Sequence, residues 1–378
     1  MEQVDADRTN DQYWMAQALQ LARKGLYSTD PNPRVGCVVI SKQALFSQGW
    51  HEFYGGPHAE INAIEKVSIP AASEFYITLE PCSHQGKTPP CVDAIIDLKP
   101  ARVIIAMQDP NPLVAGCGIE RLETAGIKVE VGVLESEARA LNAGFVSRME
   151  RNRPFLRIKM AMSLDGRTAL ANGISQWITG EAARLDVQRL RAQSSAILTS
   201  VATIITDDPS LNLRLNESEL GQTVAVRQPV RVVLDTKLQL TGKEKIFTTG
   251  GSIWVYTLNN NEADLARLTE AGAEVTVFEN SNSGKIDLSR LMAHLAKREV
   301  NQVHSECGAT LAGALIQQQL VDELVVYIAP QLLGNRSRGL FDLGEITKMD
   351  ARINCRIDEI RKVGEDIRLR ISLQRQSI

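Results

Sequence analysis

The sequence predicts an α/β protein with two successive domains, and three observations lead to this fold class. The chain has 378 residues, and domains hold about 150 residues each on average. Through the first third of the chain, segments typical of strands alternate with segments typical of helices, which indicates a sheet covered by helices. Near the C-terminus, DIRLRISL (366–373) instead alternates strictly between apolar and polar residues, as in an antiparallel hairpin.

The first domain, expected over residues 1–150, opens with a helix. Apolar residues recur at helical spacing over 11–24, and Gly25 stands where a C-terminal cap belongs. The later segments are predicted as strands at 35–40, 74–79, 102–107 and 127–133, and as helices at 58–67, 91–98 and 118–126. Pro154 ends any helix that leaves this region, so we place the domain boundary near residue 150.

The second domain, expected over residues 151–378, combines helices with a mixed sheet. Strands are predicted at 155–162, 231–235, 252–258 and 274–279, and a long helix at 180–193. In 366–373, Ile367 and Leu369 alternate with Arg368 and Arg370, so the two sets are expected on opposite faces of a strand. Paired with 352–360, this strand would form an antiparallel hairpin at the end of the chain.

Composition and charge narrow the function classes. Hydrophobic residues make up 44% of the chain and charged residues 23%, as in an ordinary globular protein. A net charge of −3 gives no reason to expect a nucleic-acid partner. The acidic N-terminus lacks the apolar stretch of a secretory signal, and no apolar run approaches the ~18 residues that span a membrane. We therefore expect a cytoplasmic protein whose six cysteines form no disulfide framework.

Two short motifs carry residue types that bind zinc. His58 and Glu60 stand in PHAE at the start of a predicted helix, and Cys82 and Cys91 bracket a proline-rich segment after a predicted strand. Imidazole and thiolate groups bind zinc tetrahedrally, and a catalytic zinc keeps one position for a water whose pKa it lowers to about 7. His58, Cys82 and Cys91 are therefore the candidate ligands. Glu60, near that water without being a ligand, is the candidate proton shuttle.

Other interpretations of these cysteines stay open. His84 could complete a structural zinc site with four protein ligands, and the two cysteines could also lie together without a metal. The order H-x-E…P-C…C is typical of zinc-dependent nucleobase deaminases, which usually have two residues between the cysteines. Here eight residues, 83–90, separate them. Cys37 and Cys117 are expected to be small buried apolar residues.

A family resemblance becomes visible at this point. The segments NPRVGCVV, GWHEFYGGPHAE, TLEPCSHQGKTPPC, DPNPLVAGCGI and LNAGF resemble the deaminase half of the bifunctional riboflavin-biosynthesis deaminase–reductases, in which the longer cysteine spacing is the rule. The resemblance implies a cytidine-deaminase-like α/β/α sandwich that acts on a free pyrimidine ribonucleotide. The implied contacts to its ring, ribose or phosphate are Asn32, His51, His84, Lys87, Asp109 and Asn111. Lys87 suits a phosphate because its proline-stiffened segment lowers the ordering cost of binding, whereas His51 taken alone would be an ordinary surface histidine.

The second half carries one weak motif of its own. GATLAGAL (308–315) follows a predicted strand at 301–306, and a helix that starts there would offer backbone N–H groups to a phosphate. Ala314 stands where a P-loop has its lysine, and the G-x-G-x-x-G fingerprint of dinucleotide-binding folds is absent. The glycines could equally mark close packing of a helix on a strand.

Resemblance to the same family is more informative here. KMAMSLDGRTAL, ISQWITGEAARLDVQRLRAQSSAILTS, ATIITDDPSLNLR and LVDELVVYIAPQLLG are similar to its reductase half, which implies a dihydrofolate-reductase-like α/β domain that uses NADPH. The implied NADPH contacts are Ala161, Trp177, Thr203, Asp207, Gly308, Ala309, Thr310, Leu311, Ala312, Gly313 and Ala314. The implied substrate contacts are Lys159, Ser175, Arg191, Leu211, Arg214 and Glu306.

Two of these positions need comment. Arg191 lies near the end of a charge-rich predicted helix, so it could instead belong to a solvated face. Around Glu306 the family commonly has apolar residues before the glutamate and glycine or alanine after it, whereas this chain has Ser305 and Cys307. Ser305 would place a hydroxyl in a strand that is expected to be buried.

Together these observations predict one chain with two successive activities. The first domain would deaminate 2,5-diamino-6-ribosylamino-4(3H)-pyrimidinone 5′-phosphate with Zn²⁺. The second would reduce the ribosyl side chain of 5-amino-6-(5-phosphoribosylamino)uracil to ribityl with NADPH. The alternatives are a nucleoside or tRNA deaminase with a non-catalytic second domain, and a zinc-stabilised, non-enzymatic binding module. We expect small-molecule partners without nucleic acid or membrane, and the resemblance implies a homo-oligomer, a dimer or tetramer.

Overall fold

The chain divides into two compact units. The computed structural model describes residues 2–65, 67–84, 89–112, 114–279 and 284–374, with side chains from residue 10 onward. The first unit contains Met1–Asn152 and Glu217–Val226, and the second contains Arg153–Asn216 and Arg227–Ile378. The division at residue 152 lies close to the boundary expected near 150, whereas nothing in the sequence indicated that 217–226 groups with the first unit.

The first unit is built on a five-stranded sheet. Its strands are β1 (Gly36–Ser41), β2 (Ala44–Trp50), β3 (Glu74–Ile77), β4 (Arg102–Ile105) and β5 (Lys128–Val131). Its helices are α1 (Glu2–Arg23), α2 (Ala59–Ile64), α3 (Cys91–Asp97), α4 (Cys117–Thr124), α5 (Glu135–Leu141) and α6 (Ala143–Arg151). The strand order is β2-β1-β3-β4-β5. β1 pairs antiparallel with both β2 and β3, whereas β3, β4 and β5 run parallel.

Both faces of this sheet are apolar, which explains why its inner strands are continuous apolar runs in the sequence. Successive strand residues point to opposite faces. Val38 and Ile104 pack on one face with Met15 of α1, and Val39 packs on the other with Ile95 of α3. β2 was not predicted; it lies at the edge of the sheet and most of its residues are exposed, so its sequence lacks an apolar pattern.

The second unit is built on a nine-stranded mixed sheet. The strands of this unit are β6 (Phe155–Ser163), β7 (Arg167–Ala169), β8 (Ala196–Ser200), β9 (Val230–Leu234), β10 (Ile253–Thr257), β11 (Ala273–Val277), β12 (Gln302–Ser305), β13 (Glu323–Ala329), β14 (Arg338–Gly339), β15 (Cys355–Val363) and β16 (Asp366–Leu373). Of these, β7 and β14 form a separate two-stranded sheet, and the other nine form the main sheet. Its helices are α7 (Glu181–Ala192), α8 (Val201–Asp207), α9 (Lys245–Thr248), α10 (Glu262–Glu270), α11 (Leu288–Lys297) and α12 (Ala309–Gln317).

The strand order is β11-β10-β9-β8-β12-β6-β13-β16-β15. All neighbours are parallel except the last two pairs, so the predicted antiparallel hairpin of β15 and β16 is confirmed. Arg368 of β16 is nevertheless buried, because Asp186 of α7 accepts a hydrogen bond from its Nη1 at 2.8 Å. The face that carries the arginines is thus covered at Arg368, whereas Arg370 is exposed.

Side-chain caps fix the starts of two helices on this sheet. Asn261 accepts a hydrogen bond from the backbone N–H of Asp264 at the start of α10, and Asp287 accepts one from Arg290 at the start of α11. Within the described part of the chain, no helix combines the length and the apolar character that a membrane crossing requires.

Candidate functional site

Three sulfur and nitrogen donors meet in the first unit. His58 is the N-cap residue of α2, Cys91 is the first residue of α3, and Cys82 lies in the segment that follows β3. His58 Nδ1 is 3.5 Å from Cys82 Sγ and 3.3 Å from Cys91 Sγ. Among the described residues this is the only group of three or more His, Cys, Asp or Glu side chains whose donor atoms lie within 4.8 Å of one another.

The donor set and its spacing fit a tetrahedral zinc ion. Zn–N and Zn–S bonds of ordinary length place the nitrogen and sulfur ligands of one ion about 3.6 Å apart, close to the two observed separations. His84 is exposed and does not belong to the group, and neither does Glu60. The group therefore supplies three protein ligands rather than the closed set of four that a structural site with His84 would need.

Hydrogen bonds prepare the sulfur atoms for a cation. The pKa of Cys82 is lowered because Cys91 and His58 donate to its sulfur, and the backbone N–H of Cys91 adds a bond at 3.2 Å. The pKa of Cys91 is raised by that same thiol donation and by burial, while the pKa of His58 is raised by its bond to Cys82. A zinc ion held by these three side chains would bind the sulfurs as thiolates and displace their protons.

Glu60 follows the candidate ligand His58 by two residues, in the first turn of α2. It is the second residue of α2 and is only 3% exposed. Burial raises the pKa of its carboxyl to about 7, although the neighbouring His58 opposes the shift. A carboxyl with such a pKa can both accept and return a proton near neutral pH.

His51 and Asn32 stand beside the cluster. The His51 ring is 5.7 Å from the His58 ring and perpendicular to it. His51 Nδ1 lies 2.9 Å from the carbonyl oxygen of Pro57, which only accepts, so Nδ1 carries the proton. Its Nε2 then accepts from Asn32 Nδ2 at 3.2 Å. His51 is buried, so it is not the ordinary surface histidine that its local sequence allowed.

Asp109 and Asn111, two other predicted substrate contacts of the first unit, lie close together. Asp109 is partly buried, and this burial raises its pKa. The charges of Glu80 and Cys82 raise the pKa further, whereas His84 lowers it. Its Oδ1 accepts from the backbone N–H of Asn111 at 2.8 Å. Lys87 lies outside the described residues.

Two cysteines outside the cluster differ from each other. Cys37 is fully buried on β1, as expected, and burial raises its pKa well above the usual range. The expectation for Cys117 was wrong, because this residue is exposed at the start of α4.

In the second unit a buried ion pair lies at the end of β12. Arg191 of α7 donates from Nε and Nη2 to the two oxygens of Glu306, at 2.5 and 3.0 Å. Arg191 is buried, so the alternative of a solvated face was wrong. Burial opposes ionisation of Glu306, but Arg191 and His304 hold its pKa well below its usual range. Burial also lowers the pKa of Lys159 on β6, partly offset by Glu306.

The hydroxyl of Ser305 is accommodated within the strand. Its Oγ donates toward the carbonyl oxygen of Leu198 at 3.3 Å and lies 3.2 Å from Cys307 Sγ. The departure from the family pattern around Glu306 therefore adds a satisfied polar group and leaves the ion pair of Glu306 intact.

The predicted NADPH motif is a strand, a turn and a helix. Gly308 caps α12 directly after β12, and its neighbour Ala309 begins the helix. Gly313 serves close packing, because a Cβ there would lie 1.9 Å from the carbonyl oxygen of Asp342. Close packing therefore applies to Gly313. Gly308 and Thr310 are exposed at the start of the helix, and the phosphate contact there stays a prediction.

The remaining predicted contacts lie on segments around these elements. Trp177 is 70% exposed, with Arg184 4.8 Å above its ring, and Ser175 is partly buried nearby in sequence. The side chain of Leu211 is buried in an apolar cluster, so only its backbone could contact a ligand. Arg214 and Asp207 are exposed, Thr203 lies on α8 and Ala161 on β6.

Glu80 is a site residue that the sequence analysis missed. Its carboxylate is buried next to the Cys82 segment and accepts four backbone hydrogen bonds. The signal was an acidic residue between a buried strand and a metal-binding cysteine, in TLEPC.

Comparison with known proteins identifies both halves. Residues 8–107 match the family described as cytidine and deoxycytidylate deaminase zinc-binding region, and residues 154–369 match the RibD C-terminal domain. The riboflavin biosynthesis protein RibD of Escherichia coli K12 is 45% identical over 96% of this chain and 99% of its own length. That of Haemophilus influenzae is 43% identical over 96% of this chain and 97% of its own length.

Solved structures agree with these matches. Acinetobacter baumannii RibD superimposes with a TM-score of 0.89 at 39% identity, over 97% of this chain and all of its own chain. A deaminase/reductase from Thermotoga maritima gives a TM-score of 0.86 at 30% identity, over 97% of this chain and 100% of its own. With likeness spanning almost every residue of both units, the chain belongs to the RibD family of riboflavin biosynthesis proteins, which are bifunctional enzymes with a zinc-binding deaminase half and a reductase half.

Proposed function

We propose that residues 1–150 form a domain that deaminates 2,5-diamino-6-ribosylamino-4(3H)-pyrimidinone 5′-phosphate. Residues 151–378 form the domain that reduces the ribosyl side chain of 5-amino-6-(5-phosphoribosylamino)uracil to ribityl. The cofactors are Zn²⁺ for the first reaction and NADPH for the second. The observation that carries the proposal is the three-donor cluster with the buried Glu60 beside it.

His58, Cys82 and Cys91 are the zinc ligands in this proposal. Zinc held there supplies a water that is activated for attack at neutral pH. The Glu60 carboxylate accepts a proton from the attacking water. It then donates this proton to the amino group on the pyrimidine ring, which leaves as ammonia. The burial of Glu60 supports this role, because few solvent molecules can reach its carboxylate and exchange the proton that it carries.

The side chains around the cluster hold the pyrimidine nucleotide. His51, with its proton fixed on Nδ1, and Asn32 offer a paired polar surface to the ring. His84, Asp109 and Asn111 contact the ring or the ribose, and Lys87 binds the phosphate. Hydrogen-bonding groups that are oriented before binding lose little freedom when the substrate arrives, which favours both affinity and alignment.

In the second unit Lys159, Arg191 and Glu306 bind the ribosyl phosphate substrate together with Ser175, Arg214 and the backbone of Leu211. The ion pair of Arg191 and Glu306 supports this assignment, because it presents fixed charges at the end of a parallel strand. NADPH supplies a hydride and is held by the first turn of α12 and by Ala161, Trp177, Thr203 and Asp207. The N–H groups at the start of α12 suit its phosphates.

We also propose that the protein is a cytoplasmic homo-oligomer, a dimer or a tetramer. All six cysteines are unpaired, as expected in a reducing compartment. β15 ends the nine-stranded sheet, and Ile357 and Ile360 on it are 54% and 67% exposed. Both isoleucines stand among charged residues of this edge strand, and a second copy that covers them would remove apolar surface from water.

The test of the deaminase is a Glu60→Gln substitution. The amide keeps the shape of the side chain but cannot shuttle a proton, so ammonia release from the diaminopyrimidine nucleotide should fall by roughly 10²–10⁴-fold. Zinc content, measured on the purified protein, should stay at the wild-type level. The same protein should still oxidise NADPH with the deaminated nucleotide and not with its precursor, which separates the two activities.

Glu65→Gln is the matched control, since Glu65 is the exposed C-cap residue of the same helix. It should deaminate at the wild-type rate. Wild-type ammonia release by the Glu60 variant would refute the assigned role of Glu60.

A further inference from the structure

Glu80 is a buried carboxylate held by backbone groups rather than by a cation. It follows β3 and precedes Cys82 by two positions, and it is almost fully buried. Its Oε2 accepts from the N–H groups of Asp109 and Gly116, both at 3.0 Å. Its Oε1 accepts from Gly118 at 2.8 Å and from Ile119 at 3.3 Å. No Lys, Arg or His among the described residues forms an ion pair with it.

The four donors lie before and after one segment of the connection from β4 to α4. Asp109 stands at the beginning of the segment 109–116, Gly116 is the N-cap of α4, and Gly118 and Ile119 lie in the first turn of that helix. The hydrogen bonds continue from Glu80 through the N–H of Asp109 to Asp109 Oδ1, which accepts from Asn111 at 2.8 Å. One carboxylate therefore fixes both ends of the segment that carries Asp109 and Asn111.

An independent packing observation shows how closely this segment approaches the cysteine-bearing chain. A Cβ on Gly118 would lie 2.3 Å from the carbonyl oxygen of Pro81 and 3.2 Å from Glu80 Oε1. Only glycine allows the start of α4 to lie against Pro81, the residue directly before Cys82. Arg121 of α4 adds a bond to the carbonyl oxygen of Ser83 at 2.9 Å, so α4 contacts the chain on both sides of Cys82.

We propose that Glu80 is a positioning residue of the deaminase. It couples the segment that carries the metal ligand Cys82 to the segment that carries Asp109 and Asn111, and it thereby sets the distance between the metal site and the groups that hold the nucleotide. The inference rests on the proposed deaminase function for the identity of the ligand. It does not require Glu80 to touch the substrate.

Replacing Glu80 by glutamine tests the coupling, because only half of an amide can accept. One of the two donor pairs would then face an NH₂ group and lose its hydrogen bonds. Either the pair Asp109 and Gly116 or the pair Gly118 and Ile119 should therefore loosen, while the zinc ligands keep their places. The expected kinetic effect is a rise in KM for the nucleotide of about tenfold with kcat within about twofold, since an uncoupled binding segment weakens binding more than chemistry.

Glu74→Gln is the matched control. Glu74 is the first residue of β3, at the opposite end of the strand from Glu80, and its carboxylate accepts from Arg102 Nε at 2.5 Å. This variant should keep the wild-type KM. Zinc content and NADPH oxidation with the deaminated nucleotide should be unchanged in both variants, which reports on the folding of each unit.

A second measurement does not depend on activity. Hydrogen–deuterium exchange should be faster in Glu80→Gln than in the wild type at the amides of Asp109 and Gly116 or at those of Gly118 and Ile119, and unchanged in Glu74→Gln. Glu80→Asp, which retains the charge but is shorter by about 1.5 Å, should show the same change to a lesser degree if Glu80→Gln proves difficult to produce.

The results separate this inference from the proposed function. A wild-type protein that releases no ammonia would refute the proposed function, while the exchange comparison would still decide whether Glu80 holds the segment. Unchanged exchange in both Glu80 variants, an equal rise in KM for Glu74→Gln, or loss of zinc from Glu80→Gln with unchanged KM would each overturn the positioning role.

Discussion

His304 is a fully buried imidazole in the second unit. It lies on β12 opposite Arg157 of β6, and its Nε2 is 3.5 Å from Glu306 Oε1, at the long limit of a hydrogen bond. Arg191 of α7 reaches the same carboxylate. Burial lowers the pKa of His304, the two arginines lower it further, and Glu306 opposes them. The folded protein therefore holds this imidazole neutral.

A neutral buried histidine makes stability depend on pH. In the unfolded chain His304 takes up a proton as the pH falls below about 6.5, whereas the folded chain binds it only at lower pH. Stability is therefore lost on acidification from pH 6.5, by at most about 1.4 kcal/mol per pH unit for this one group. His304→Leu should show a smaller fall in thermal midpoint between pH 7 and pH 5 than the wild type.

The comparison needs the other histidines in place. His51 and His294 also have pKa values lowered by burial, so a residual acid dependence should persist in the variant. Identical loss of thermal midpoint in His304→Leu and in the wild type would contradict the assignment. The substitution is apolar, as the family commonly has before this glutamate, so the fold should tolerate it.

At the scale of elements, the connection from β9 to β10 depends on one arginine. Arg231 of β9 is almost fully buried and donates to the carbonyl oxygens of Ile246 and Gly251, both at 2.6 Å, and of Thr249 at 3.1 Å. Burial lowers its pKa. The connection, which includes the short helix α9, is thus packed against the sheet because a guanidinium satisfies its carbonyl groups.

Arg231→Met should remove those donors and leave the carbonyl groups buried without partners. We expect the free energy of unfolding of the second unit to fall by about 3 kcal/mol, measured by urea denaturation, since each unmet buried group costs about 1–3 kcal/mol. Arg356→Met is the control, because Arg356 is 70% exposed in a surface ion pair, and such pairs contribute at most about 1 kcal/mol. Equal effects of the two substitutions would refute the role of Arg231.

At the scale of the whole molecule, the two ends of the nine-stranded sheet differ. β11 ends the sheet on one side and β15 on the other. The exposed large apolar residues are Ile357 and Ile360 on β15 and the less exposed Val277 on β11. The proposed contact between copies therefore uses the β15 edge. A lysine there would place a charge in the interface at a high desolvation cost.

Ile360→Lys should lower the mass of the assembly in solution, measured by light scattering at equal protein concentration, and leave the monomer folded. Val277→Lys, on the edge strand β11 and 42% exposed, is the matched control and should leave the assembly unchanged. If only the Val277 variant dissociated, the contact between copies would have to be assigned to the β11 edge instead. A wild-type protein that is monomeric would refute the proposed oligomer.

Local patterns in the sequence were sufficient for the elements and for the metal donors. Continuous apolar runs predicted the inner strands β1, β3 and β4, because both sheet faces are covered, and strict alternation predicted the hairpin of β15 and β16. The motif PHAE and the two cysteines singled out the cluster, since zinc chemistry restricts the residue types that can form it. The edge strand β2 was missed for the converse reason: its exposed residues are under little pressure to be apolar.

The sequence by itself therefore determined the fold class, the family and the identity of the candidate donors, because each depends on residue type and on spacing over a few positions. Only the tertiary structure decided how buried polar groups are paired. Glu80 meets amides 29 to 39 positions later, and Arg191 meets Glu306 across 115 positions. Such pairings depend on how strands and helices pack, and no local sequence pattern predicts them.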